Sequence, residues 1–393
     1  MRFDPEQEEL RRTVRTLLER AAGGNAWRLL AEQVGALGLA IPEEYGGAGF
    51  SVLETHVVLE ELGAALAVPG FLSTTLAAQA ILAGDSAKAK AELLPGIAEG
   101  ATRAAVAWEA SGVTATEEAS GWRLTGTADH VLDGSTANLL IVPAQIQDHA
   151  KPALEPDTRA GLAPEPDARA ELVQEPHPRA GLALEPDIRT WSAHASDAGS
   201  SRIGMFVVAA GDAAVSEVET VDPGRPQAWV EFRTSPAMSL GADPALSARV
   251  LDLACVAISA EQVGAAQRAF DLTLAYTKQR VQFGRPIGSF QAVKHRLADL
   301  FVLLESARSA SYAAAFAAAS GHELTVAASR AKAYCSEAFA TIAGEAIQLH
   351  GGIGITWEHP IHLYFKRAHS TSQLFGNPAW HRQRYARAVG LAA

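Results

Sequence analysis

Two short stretches hold the side chains best suited to gripping a ligand. Residues 276–293 read Tyr-Thr-Lys-Gln-Arg-Val-Gln-Phe-Gly-Arg-Pro-Ile-Gly-Ser-Phe-Gln-Ala-Val, and residues 348–354 read Gln-Leu-His-Gly-Gly-Ile-Gly. Arg280 offers a fixed charge and paired N–H donors, a fork that suits a pyrophosphate. Gly351 and Gly352, at an expected helix end, would let the backbone come close to a ligand. A plain alternative stands beside each: a surface arginine, and an ordinary glycine helix terminus. The other reactive residues point elsewhere. His359, His362 and His369 are near one another in sequence, but only Glu358 accompanies them at ligand spacing, so packing is expected rather than metal binding. Cys255 and Cys335 are the only two cysteines; they lie far apart in helical patterns and read as buried thiols, not a disulfide.

The elements that must position these residues are mostly helical. Residues 5–36 are helix-rich, with Leu10, Val14, Leu17 and Leu18 on one face. A turn-rich connector, Leu37 to Gly49, precedes a helix opened by Ser51, with Glu54 placed three residues on to complete a capping box. From about residue 104 the period shortens. Residues 122–126, 130–132, 139–142, 202–209, 213–221 and 229–232 read as short strands separated by turns. From about 245 the pattern is helical again, with candidate helices at 246–281, 289–320, 324–350 and 378–392, the last opened by Asn377 and Pro378. The spacing predicts an α+β, mainly α chain: a helical domain over 1–103, a β-domain over 104–240 and an antiparallel helical bundle over 241–393. Within the β-domain, about 145–200 reads as an inserted loop. Glu-Pro recurs at 155, 165, 175 and 185, with Arg at 159, 169, 179 and 189. Proline every tenth position and few large apolar residues predict a disordered repeat, not a helix, strand or solenoid.

A chain of 393 residues with 48% hydrophobic and 20% charged residues is ordinary for a soluble globular protein. Its formal charge of −11 disfavours nucleic-acid and anionic-membrane partners. The start lacks a signal-peptide h-region, and the Ala-rich run at 308–320 is too short and too serine-containing to span a bilayer. A cytoplasmic location is expected.

The two stretches together resemble the C-terminal half of the acyl-CoA dehydrogenase flavoenzymes, and the connector with Glu60-Glu61-Leu62-Gly63 resembles their N-terminal helical domain. The resemblance spans all but about 145–200 and is most specific over 246–370. It implies that family's layout, with a four-helix bundle at the C-terminus. It also implies its chemistry, in which a glutamate removes the α-proton of an acyl-CoA thioester while the β-hydrogen leaves as hydride to FAD. The glutamate stands at one of two family positions. Here one holds Phe375, in Gln-Leu-Phe-Gly-Asn-Pro, and the other holds Ala254, ten residues before Gly264. Glu261 lies about 10 Å along the helix from Ala254, beyond the ~3 Å of proton transfer, and is expected to be a bundle-surface or interface charge.

Further flavin-contacting positions depart from the family. Gly126 to Asn138 is similar to the family's Gly-x-Lys-x-Trp-Ile-Thr-Asn-Gly segment, but His130 and Leu132 replace its Trp and Thr. The Gly-rich flavin loop has shrunk to Trp108-Glu109-Ala110-Ser111-Gly112, and Asn377 and Ala379 stand where the family carries Thr and Gln. By contrast, Arg280, Phe283, Gln348, Gly351 and Gly352 match the residues that family members extend to a neighbouring subunit's FAD; Gln282 fits less closely, being usually Thr or Ala. This combination is similar to the base-lacking subunit of the α2β2 acyl-CoA dehydrogenases of actinobacterial steroid side-chain degradation. It implies a homologous glutamate-bearing partner, a shared FAD, an acyl-CoA substrate and an acceptor such as an electron-transfer flavoprotein. Other readings are a homotetrameric flavoprotein with altered chemistry, or a flavin-free acyl-CoA-binding or scaffold protein.

Overall fold

The computed structural model describes residues 3–21, 25–110, 112–147 and 202–392; the ten-residue repeat lies outside them. The chain begins with α1 (Pro5–Arg20), a short α2 (Ala26–Leu29), then α3 (Val52–Ala65), α4 (Phe71–Ala83) and α5 (Ala87–Ala98). The capping box at α3 forms as the sequence predicts: Leu53 N–H donates to Ser51 Oγ at 3.0 Å, and Ser51 N–H donates to the Glu54 carboxylate at 2.9 Å.

Seven strands follow: β1 (Ala104–Val106), β2 (Thr114–Glu118), β3 (Gly121–Leu132), β4 (Leu139–Gln147), β5 (Ile203–Ala209), β6 (Ala214–Val218) and β7 (Gln227–Gly241). Pairings run β4-β2-β3-β7-β5, and β5 returns to β4, so five strands close a barrel; β1 pairs with β4 and β6 with β7. Closure removes the open edges of those five strands. The barrel interior is apolar, with Leu124, Val131, Val142, Phe206, Val230 and Phe232 in one buried cluster.

The helical bundle contains α6 (Pro244–Gln279), α7 (Gln291–Ser320), α8 (Leu324–His350), α9 (Ile361–Gln373) and α10 (Pro378–Ala388), with a hairpin of β8 (Val281–Gln282) and β9 (Arg285–Pro286) between α6 and α7. Sequence periodicity does not register α9, and it starts α7 at Ser289, whereas Phe290 is the N-cap. Asn377 caps α10 as expected, its Oδ1 accepting from Trp380 N–H at 2.9 Å. Helices α3 and α6 cross at contact distance. A methyl group at Gly63 would collide with the Glu261 backbone, and one at Gly264 with the Glu60 backbone, so both positions must lack a Cβ.

One buried ionic cluster fastens the barrel to the helices. Arg225, on the loop before β7, contacts Glu261 of α6 as an ion pair, each side chain 7% exposed or less. Arg367 of α9 donates to Asp222 at 2.5 Å. Ser73 of α4 donates to Asp133 at 2.7 Å. Glu261 is therefore not a bundle-surface charge: the α6 helix turns it inward, where Arg225 meets it.

Candidate functional site

The two positions where an acyl-CoA dehydrogenase glutamate is expected fall in one apolar core. Ala254, on α6, is fully buried, Phe375 is 8% exposed, and both belong to the cluster that joins α3, α4 and α6. The Phe375 ring meets Trp108 edge-on, with ring centroids 5.0 Å apart. No carboxylate takes part in that contact. Its backbone is held in a conformation that a bulky side chain rarely adopts, φ +61°.

Three groups enforce this. Lys332, fully buried on α8, donates to the carbonyls of Thr371 (3.3 Å) and Ser372 (3.0 Å), closing the C-terminal end of α9. Burial pushes the Lys332 pKa down to about 8. His381, on α10, donates from Nε2 to the Phe375 carbonyl at 2.8 Å. Burial, with Lys332 nearby, pushes the His381 pKa down to about 3, so the ring is neutral. Gly376, at φ +97°, leaves room for the Trp380 and His381 rings.

On the barrel side, Leu132 is buried in the same cluster and has no side-chain donor. His130 is exposed, with Nδ1 3.0 Å from Gln227 Oε1. Asn377 spends its side chain on the α10 cap. The residues around Phe375 do not fit an isoalloxazine: the space is filled by aromatic and aliphatic groups, and no donor faces it from position 132.

The opposite arrangement holds at the far end of the bundle. Tyr276, in the last turn of α6, stacks on His350 at the end of α8 with ring centroids 4.4 Å apart, and its hydroxyl donates to the His350 carbonyl at 3.2 Å. That contact joins the end of α6, which Arg280 follows, to the end of α8, which carries Gln348 and is followed by Gly351 and Gly352. All six residues of the two motifs are exposed. Among the described residues the Arg280, Gln282 and Gln348 side chains make no hydrogen bond or ion pair. Phe283 is 91% exposed at the hairpin tip, with φ +50° followed by Gly284 at +77°, a two-residue turn that puts a bulky ring in strained backbone. A Cβ at Gly352 would meet nothing within 4 Å, so nothing within the chain requires glycine there.

No sequence pattern signals the histidine stack at this end: His359 packs on His350 at 4.4 Å, and His362 on Trp357 at 4.6 Å. His362 and His369 lie on α9. Among the described residues no cluster of histidines, cysteines and carboxylates could hold a metal, and no helix is long and apolar enough to cross a membrane. Cys255 and Cys335 are free, buried thiols.

Residues 4–101 match the acyl-CoA dehydrogenase N-terminal domain, and residues 244–390 match the C-terminal domain. The chain is 34% identical over 389 residues to acyl-CoA dehydrogenase IpdE2 of Mycobacterium tuberculosis, covering 95% of this chain and 94% of that one. The chain belongs to the acyl-CoA dehydrogenase family. Two solved complexes share its fold from end to end. The Tcur3481–Tcur3483 steroid ACAD matches at 30% identity and a TM-score of 0.77, covering 98% of each chain. The ChsE4–ChsE5 complex of Mycobacterium tuberculosis matches at 25% identity and a TM-score of 0.79, covering 100% of this chain and 99% of that one. Butyryl-CoA dehydrogenase of Megasphaera elsdenii, at 21% identity and a TM-score of 0.79, shares the fold. FAD is the cofactor of this family. In this chain the bundle end exposes a fixed cation, an amide and paired glycines, and the Phe375 region has no open, donor-lined space for a flavin ring.

Proposed function

We propose that this chain is the non-base-bearing subunit of a heteromeric FAD-dependent acyl-CoA dehydrogenase. Its own residues would bind and orient part of a cofactor whose redox centre lies on a homologous, glutamate-bearing subunit. Arg280 would pair with the pyrophosphate through two N–H donors. Gln348 would donate from its amide, Phe283 would pack against the cofactor and exclude water, and Gly351 and Gly352 would let the α8 terminus approach the adenosine portion. Gln282 completes the patch. FAD, when bound, supplies the hydride acceptor for α,β-dehydrogenation of the acyl thioester. The α-proton would go to the partner's carboxylate, since Phe375 and Ala254 have no group to take it.

One observation carries the reading. The candidate donor residues are exposed, and the Arg280, Gln282 and Gln348 side chains have no hydrogen-bond or ion-pair partner among the described residues, while the positions of a self-contained site are buried and apolar. Assembly with a second chain is supported by the matched complexes ChsE4–ChsE5 and Tcur3481–Tcur3483, each named for two proteins. A steroid-derived acyl group is supported by the steroid named in the second of these. The test is the visible absorbance of the purified chain, alone and mixed with its glutamate-bearing homologue. The chain alone is expected to be colourless or substoichiometric in FAD and inactive, and the mixture yellow and active. A yellow homotetramer with one FAD per chain would refute the proposal in favour of a flavoprotein with altered chemistry. A mixture that never binds flavin would leave a scaffold.

A further inference from the structure

The geometry points to Phe375 as a built plug: with Trp108 it closes this chain's own acyl compartment, so that no acyl chain enters here. The inference takes the compartment's location from the family reading above, but it concerns this chain's core and not the cofactor patch. A missing base would need only a small or polar replacement. Instead the position holds a large ring, 8% exposed, at a backbone angle of φ +61° that is strained for such a residue. The strain is maintained from both sides. Lys332 fixes the carbonyls of Thr371 and Ser372 just before Phe375, and His381 fixes the carbonyl of Phe375 itself. Lys332 and His381 are therefore positioning residues, and the ring they direct lands on Trp108.

The surroundings are packed. Phe375, Ala254 and Leu132 lie in one buried apolar core, against which Trp108, Leu374 and Trp380 also pack. An acyl chain does not fit there unless the Phe375 ring leaves. Each assembly would then hold acyl groups only on the partner side, and this subunit would set that stoichiometry sterically as well as chemically.

Cavity complementation tests the plug on the full chain. Phe375→Gly removes the ring and relaxes the backbone angle, so folding is expected to survive. Its melting temperature should rise by several degrees in saturating benzene, with no rise in the wild type. Trp108→Ala, which opens the same space from the barrel side, should respond in the same way and carries the test if Phe375→Gly does not fold. In parallel, octanoyl-CoA titrated into the wild-type chain alone should give no binding. One octanoyl-CoA per wild-type chain, or no benzene response in either variant, would overturn the plug. Neither outcome touches flavin donation at Arg280, so the two proposals fail separately.

Discussion

Replacing Arg280 by alanine isolates the donated half-site. Arg280 is the C-cap residue of α6, and its backbone is fixed independently of its side chain: its N–H donates to the Tyr276 carbonyl at 2.9 Å, and its carbonyl accepts from Ile287 at 2.8 Å. The guanidinium is exposed and has no partner among the described residues, so its removal leaves no buried group unsatisfied. The fold should change by no more than about 0.5 kcal/mol, the usual range for a surface substitution without such a role. What is lost is charge-assisted hydrogen bonding to phosphate, a loss of about 1.5–3 kcal/mol for this exposed site. At about 1.4 kcal/mol per decade, FAD should dissociate from the reconstituted complex roughly 10- to 150-fold more readily. Arg280→Lys should recover part of this, because it keeps the charge and loses the fork. The difference should shrink with added salt, since the site is exposed and screened. The assay is a fluorescence titration of apo-complex with FAD at two ionic strengths, with size-exclusion profiles confirming assembly. Unchanged flavin affinity in an intact Arg280→Ala complex would refute donation from this chain.

Other expectations follow from the core. Glu261→Gln should destabilise the chain by about 1–3 kcal/mol in urea unfolding, because it removes the charged partner that α6 offers buried Arg225 and leaves only Asp133 and Asp222 to offset that charge; no measurable loss would mean that the pair is solvated. Burial pushes the His56 pKa down to about 3, with Arg11 adding to the shift, and His381 sits equally low for the reasons given above. Both folded values lie below the ordinary ~6.5, so the unfolded chain binds more protons between about pH 3 and 6.5, and stability falls as pH drops through that window. From pH 7 to 5.5 the two rings together should cost about 2.5 kcal/mol, and His381→Gln should roughly halve the loss. Phe375→Glu or Ala254→Glu should give no turnover in the chain alone, since a base without a stacked acceptor has nothing to work against. Turnover by either variant would show that the flavin pocket is intact.

Local chemistry made much of the fold legible. The Ser51–Glu54 box and the Asn377-Pro378 start each announce a helix within four residues, and both form. Helix α9 was hidden because its buried face is largely polar: His362, Arg367, Thr371 and Ser372 are buried beside Ile361, Tyr364 and Ala368, so no apolar period appears. The three-residue β1 is too short to register by pattern. The vacancy at both glutamate positions could be read from single letters. What fills it could not, because Trp108 and Phe375 come from the barrel and the bundle and meet only in space. The choice between a surface and an interface charge at Glu261 stayed open for a similar reason: its partner Arg225 lies on a turn before β7, and the sequence of α6 carries no sign of it.

The two ends of this molecule are best explained together. An exposed phenylalanine held at φ +50° and a glycine with open space around it are both unfavourable or indifferent for a chain considered by itself. The Arg280 side chain likewise has no partner among the described residues. Such features stabilise something only when another surface arrives to use the ring, the close approach and the charge. At Phe375 the logic reverses. There the chain accepts backbone strain and commits a buried lysine and a neutral histidine to keep a ring inside, which serves packing and leaves no room for ligand. A protein that bound its own cofactor and substrate would need the second site open and could leave the first unremarked. One that completes a partner's site needs the first exposed, and it loses nothing when the second is closed.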